Sequence, residues 1–237
     1  MASALLDIFY PIAPDLGWLK RLAPLGIRTV QLRLKDAAPD EVRRQIRESI
    51  AVCKANGCQL IVNDYWQDAI AHGADVVHLG QEDLAAADVR AIKAAGIKLG
   101  ISTHDESELQ TALDAKPDYI ALGPIYETKL KVMKWSPQGL DRISAWKRRL
   151  GALPLCCIGG ITPERAPGVV AAGADSVAVI TDFFTHREPE ARVERIRDKV
   201  RSPLEGWRGL RLRSSPGWRC RSRGIRPRAI HCQNRDR

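Results

Sequence analysis

The chain has 237 residues, 45% of them hydrophobic, which suffices for one sizeable core and approaches the usual length of a single α/β barrel. Its net charge of +9 lies wholly in the C-terminal stretch, where eleven arginines from Arg201 onward face only Glu205 and Asp236. Residues 1–200 are therefore neutral overall, which argues against a body-wide attraction to polyanions. No apolar run approaches a membrane span, and Met1–Leu6 lacks the basic and apolar regions of a signal peptide.

Eight short apolar or β-branched segments read as strands, at 7–12, 28–33, 58–62, 75–79, 97–101, 118–122, 154–158 and 176–180. Helical stripes lie between most of them. Val42, Ile46, Ile50 and Cys53 form one within Glu41–Cys53, and Val193, Ile196 and Val200 form another within Glu190–Val200. Gly26, Gly57, Gly73, Gly96 and Gly173 each precede a strand by one to three residues, where a helix C-cap needs a left-handed residue. Two of these junctions are near copies, Gly73-Ala74-Asp75-Val76-Val77 and Gly173-Ala174-Asp175-Ser176-Val177.

This alternation predicts an α/β protein, a (β/α)8 TIM barrel over residues 1–200. A doubly wound open sheet is the competing architecture, but it rarely holds eight such units in so short a chain. After Val200 the periodicity stops, and 201–237 reads as a basic C-terminal extension of low order. Trp207 and Trp218 among the arginines could stack on bases, but a nucleic-acid partner is the minority reading. The six cysteines form no C-x-x-C pair and no Cys/His metal spacing, so they read as reduced structural thiols of a cytoplasmic protein.

In a closed barrel the loops after the strands form the active face. Gln31, Arg33 and Lys35 alternate with Leu32 and Leu34, so the polar three share one side. Two cations and an amide aimed into a barrel mouth imply an anion; the alternative is a solvated strand end with snorkelling cations. Asn63-Asp64 and Asp83 follow the third and fourth strands. The two acids suit Mg2+, which takes a few protein oxygens and completes its shell with phosphate and water. The competing roles are a turn or helix cap for Asn63-Asp64 and an N-cap for Asp83. Gly159-Gly160 bares backbone N–H groups, and Thr162-Pro163-Glu164 then opens a helix, a phosphate cradle in a barrel of this kind. Ile180-Thr181 supplies the matching rim. His78 reads as a core or rim histidine and His104 as an exposed one, neither catalytic.

The segments Gln31 to Lys35 (QLRLK), Asn63-Asp64, His78 to Asp83 (HLGQED) and Gly123 to Tyr126 (GPIY), leading to Thr128 and Lys131, resemble thiamine phosphate synthase. So does Ile158-Gly159-Gly160-Ile161 with the later Gly173-Ala174-Asp175. The resemblance covers residues 7–200 and implies a transferase of thiamine biosynthesis. It would join hydroxymethylpyrimidine diphosphate to hydroxyethylthiazole phosphate, releasing pyrophosphate. It implies that Gln31, Arg33 and Lys35 bind the pyrimidine diphosphate, that Ser102 and Lys131 hold its phosphates, and that Asn63 contacts the pyrimidine. Asp64 and Asp83 would hold Mg2+, while Thr128, Gly160, Ile180 and Thr181 would hold the thiazole phosphate. Arg33, Lys35, Ser102 and Lys131 are then the catalytic set. The partners are small molecules, with no membrane, and a homo-oligomer is compatible with the sequence. The alternatives are a thiazole tautomerase-like isomerase on a similar barrel, and a non-catalytic barrel whose tail binds nucleic acid.

Overall fold

The computed structural model describes residues 5–128 and 135–211, with side chains as far as residue 201. Eight parallel strands close in sequence order: β1 (Phe9–Ala13), β2 (Thr29–Leu32), β3 (Gln59–Asn63), β4 (Val76–Leu79), β5 (Lys98–Thr103), β6 (Tyr119–Leu122), β7 (Leu155–Ile158) and β8 (Ser176–Val179). The barrel shuts where Phe9 of β1 registers with Val177 of β8. All eight expected strands are present, each displaced by at most two residues at either end.

The helices are α1 (Leu16–Leu22), α2 (Pro39–Ala55), α3 (Trp66–His72), α4 (Gln81–Ala86), α5 (Val89–Ala94), α6 (Glu106–Asp114), α7 (Gly139–Leu150), α8 (Ala166–Ala171), α9 (Thr181–Phe184) and α10 (Pro189–Arg211). Strand alternation divides the core into two layers. Leu32, Leu60, Val62, Val77, Leu99, Leu122 and Cys157 face outward onto the helices. Tyr10, Ile12, Ile61, Val76, Tyr119, Ala121, Cys156 and Ala178 fill the barrel interior, with Leu6 packed among them.

The stripes read from sequence bury as expected. Val42, Ile46 and Cys53 of α2 and Val193, Ile196 and Val200 of α10 are all buried, whereas Ile50 is only half-buried. The face of α2 also carries buried Gln45, whose Oε1 accepts the Leu16 N–H at 2.8 Å and ties α2 to the start of α1. The five junction glycines all have positive φ, from 62° at Gly57 to 114° at Gly173. In the repeated junctions, Ala74 N–H donates to Ala69 O and Ala174 N–H to Val169 O, closing both helix ends alike.

Two boundaries differ from the sequence reading. The helix after Gly159-Gly160 starts at Ala166 without a side-chain cap, because residues 163–165 first make a separate turn closed by Ala166 N–H on Thr162 O. At the C-terminus α10 crosses residue 200 and runs to Arg211. Arg201 pairs with Asp7, just before β1, so the first residue of the basic extension is bound to the barrel. Residues 212–237 lie outside the described residues. Among the described residues no helix is long and apolar enough to cross a membrane.

Candidate active site at the C-terminal mouth of the barrel

The strand ends bring most of the expected residues to one rim. Gln31 sits inside β2 and is buried, opposite Ile12 of β1 and Ile61 of β3. Leu32 and Leu34 are buried in the outer layer, so the two-residue alternation holds through this strand end. Arg33 is half-buried and Lys35 exposed. Among the described residues neither cation forms an ion pair, although the Arg33 charge acts on the nearby Asp64 carboxylate.

Asn63 ends β3 with its side chain buried, and Asp64 follows with φ 67°. A left-handed residue other than glycine is uncommon, though aspartate tolerates it. Asp64 N–H donates to His78 O at 2.9 Å, which extends the β3–β4 pairing by one residue and aims the carboxylate along the mouth. There it meets Asp83 in the first turn of α4. Burial, then the charge and hydrogen bond of Asp83, push the Asp64 carboxyl up to about 6, while Arg33 and Asn63 pull it down.

Asp83 caps no helix end. Gly80 is the N-cap of α4, and Asp88 caps α5 by accepting Ala91 N–H at 3.0 Å. Nor does Asp64 cap α3, whose N-cap Tyr65 makes no side-chain bond. Two carboxylates therefore face each other, and neither of them caps a helix. Such a donor set fits Mg2+, a hard cation that takes one or two carboxylates and draws its remaining oxygens from phosphate and water. Among the described residues no cluster of three or more His, Cys, Asp or Glu is poised for a metal.

His78 occupies the inward position of β4 and is buried. Its Nε2 lies 2.7 Å from Ser102 Oγ and its Nδ1 2.8 Å from Tyr119 Oη. Burial first, and the Arg33 cation second, hold this imidazole down at about 4, so it is neutral near pH 7. Ser102 is half-buried on β5, and Gln81 donates to its carbonyl at 2.6 Å, linking it to the first turn of α4, which carries Asp83.

On the far side of the mouth, the segment after β6 extends the pairing with β7: Ile125 N–H donates to Ile158 O and Tyr126 N–H to Gly159 O. This contact explains the double glycine better than bare amides alone. A Cβ on Gly159 would stand 2.6 Å from Pro124 Cα, and one on Gly160 2.4 Å from Glu127 O, and both residues have positive φ. Arg165 reinforces the junction, stacking 4.5 Å over the Tyr126 ring and donating to Gly160 O at 2.8 Å.

Thr128 lies at the end of this segment, half-buried; Lys131 lies outside the described residues. Ile180 borders the interior cluster and Thr181 begins α9. The next residue, Asp182, is gripped by Arg192 of α10 through bonds of 2.6 and 2.9 Å. His104 departs from its expected exposure. Its ring stacks on Trp135 at 3.8 Å, and Glu108 accepts both its backbone N–H and its ring nitrogen.

Gln31, Arg33, Lys35, Asn63, Asp64, Asp83, Ser102, Thr128, Gly160, Ile180 and Thr181 thus all lie at or just inside the C-terminal end of the barrel. A cavity of about 480 Å3, bordered by Leu5, Gln59, Asp75 and Lys98, opens at the N-terminal ends of β3–β5. That is the opposite end from these residues, and it contains none of them. Tyr119, Arg165 and Arg192 contact residues of this rim but carry no local sequence signal, since the partners Tyr119 finds in His78, Arg165 in Tyr126 and Arg192 in Asp182 all belong to other segments of the chain.

The thiamine monophosphate synthase family profile matches residues 9–183. The chain belongs to that family. It is 58% identical over 187 residues to the thiamine-phosphate synthase of Rhizobium etli, covering 79% of this chain and 92% of that protein. It is 48% identical over 172 residues to the thiamine-phosphate synthase of Salmonella choleraesuis, covering 73% and 82% respectively. In structure it is similar to a thiamine phosphate pyrophosphorylase from Pyrococcus furiosus, with TM-score 0.73 and 23% identity over 84% of this chain and 97% of that one. A 3-hexulose-6-phosphate synthase shares the barrel at TM-score 0.57 and 16% identity, over 81% and 99%. These two structural likenesses concern the fold alone.

Proposed function

We propose that the protein is a thiamine-phosphate synthase, condensing hydroxymethylpyrimidine diphosphate with hydroxyethylthiazole phosphate to give thiamine phosphate and pyrophosphate. The observation that carries the reading is the mouth itself: facing Asp64 and Asp83 carboxylates, with the Arg33 cation beside them. The bond between the pyrimidine methylene carbon and the diphosphate oxygen breaks, and its electron pair leaves with pyrophosphate. The thiazole nitrogen then donates its lone pair to the methylene cation and closes the new C–N bond.

Negative charge grows on the leaving oxygens, so fixed donors that meet it there lower the barrier more than they stabilise the ground state. Arg33, Lys35 and Lys131 supply cations and Ser102 a hydroxyl. Gln31 and Asn63 orient the pyrimidine, while Thr128, Gly160, Ile180 and Thr181 hold the second substrate in line. Asp64 and Asp83 would hold Mg2+, which when bound neutralises diphosphate charge and eases its departure.

No side-chain nucleophile or base is required, because the attacking nitrogen belongs to the substrate. His78 fits that requirement, since both its ring nitrogens are engaged by hydroxyls. A thiazole isomerase would have no use for the paired acids and the unpaired cations. The deciding experiment mixes both substrates with Mg2+ and follows thiamine phosphate and pyrophosphate by mass spectrometry. Equimolar appearance of the two is expected; conversion of the thiazole alone would overturn the assignment.

A further inference from the structure

The barrel interior below the mouth contains a hydrogen-bonded chain that the transfer reaction leaves unexplained. His78, Gly100 and Tyr119 lie side by side on β4, β5 and β6, since Gly100 registers with His78 on one side and Tyr119 on the other. A Cβ at Gly100 would stand 2.0 Å from Cζ of Tyr119. Only glycine lets this ring cross β5, which is the close approach that a glycine inside a strand often marks. The crossing puts the Tyr119 hydroxyl 2.8 Å from His78 Nδ1, on the strand beyond. The other nitrogen meets Ser102 Oγ at 2.7 Å, and Ser102 is the next residue above Gly100 on the same face of β5.

A neutral imidazole has one N–H and one lone pair, so this chain has two polarities. In one, Tyr119 donates to Nδ1, Nε2–H donates to Ser102, and the serine proton remains free for the mouth. In the other, Ser102 spends its proton inward on Nε2, and Nδ1–H donates to Tyr119. The Tyr119 proton must then find an acceptor deeper in the barrel. The neighbouring hydroxyl there is that of Tyr10, which already accepts the Cys156 thiol at 3.3 Å. Reversing that contact would make a sulfur the acceptor, which is a weak one, and would leave the thiol proton the long 3.9 Å contact to Cys157 O. The buried end of the chain therefore favours the outward polarity.

We propose that Tyr119 is a positioning residue which, through His78, presents Ser102 as an outward hydrogen-bond donor to the diphosphate, with Gly100 providing the opening. The identity of the anion rests on the transferase reading; the polarity of the chain does not. The test uses full-length protein labelled with [15N]histidine and long-range proton–nitrogen correlation near neutral pH. His78 is assigned as the signal lost in His78→Gln.

The expected result is the Nε2–H tautomer in the wild type, displaced in Tyr119→Phe. The same variant should bind pyrophosphate with Mg2+ about tenfold more weakly by calorimetry, the size of one charge-assisted hydrogen bond. Gly100→Ala should disturb the tautomer likewise by pushing the ring away. An Nδ1–H tautomer in the wild type, or Tyr119→Phe with unchanged tautomer and affinity, would overturn the relay. A wild-type Nε2–H signal without pyrophosphate binding would instead overturn the diphosphate reading.

Discussion

Replacing Asp64 with asparagine tests whether the mouth trades stability for function. The carboxyl stands at about 6 instead of the ordinary 3.8, through burial and the neighbouring Asp83. A folded-state value raised above the unfolded one stabilises the protein at low pH, and that contribution disappears as pH rises through the folded value. Moving from 3.8 to about 6 corresponds to ~3 kcal/mol at about 1.4 kcal/mol per tenfold change in proton affinity. Solvent screening at this half-buried position reduces it to ~1.5 kcal/mol.

In metal-free buffer, the stability of Asp64→Asn relative to wild type should therefore climb by ~1.5 kcal/mol between about pH 4 and pH 6.5 and then level off. Asparagine also tolerates the 67° φ of this position, but that gain is independent of pH and only offsets the curve. Urea denaturation at half-unit pH steps reads the difference directly. Mg2+ with pyrophosphate should erase the advantage by stabilising the wild type alone. A pH-independent difference between the two proteins would refute the claim that Asp64 and Asp83 are pressed together in the folded state.

Further outcomes follow from the same geometry. Arg33→Ala and Lys131→Ala should each lower turnover by about a hundredfold or more while melting within a few degrees of wild type, checked by steady-state kinetics and calorimetry. Gly160→Ala places a methyl group against Glu127 O on a left-handed backbone. It should lower stability by about 2 kcal/mol or more and raise KM for the thiazole phosphate more than for the diphosphate. Ending the chain after Arg211 should leave activity intact, whereas Arg201→Ala, which breaks the tie to Asp7, should lower the melting temperature. Activity lost on removal of 212–237 would give that stretch a role the barrel does not predict.

The mouth shows how far local pattern reaches. The placement of Gln31, Arg33 and Lys35 was legible because a strand's period of two puts alternate residues on one side, and with Leu32 and Leu34 buried in the outer layer Gln31 is buried, Arg33 half-buried and Lys35 exposed at the rim. Asp64 and Asp83 were legible as strand-end acids, but a cap or turn explained them equally well; Gly80 and Asp88 cap α4 and α5, which removes the cap reading for Asp83, while Asp64 does sit in a turn, with Tyr65 N–H on Asn63 O. Gly159-Gly160 was legible as a loop signal, but a second reason for its glycines was not. Its glycines admit the Gly123–Thr128 segment against β7, a contact between distant stretches of chain. His104 was misjudged because Trp135, which covers it, lies thirty-one residues further along.

The sequence by itself determined the strand and helix periods, the glycine junctions and the polar strand ends, because these depend on neighbours within one or two turns of chain. From them the barrel and its active rim follow. Only the tertiary structure decided which groups act on one another: Asp64 against Asp83, Tyr119 across Gly100 to His78, and Arg192 on Asp182. Such pairings arise when closure of the barrel brings different strands and helices into contact. No periodicity within a single segment records which partner the closed ring will place beside it.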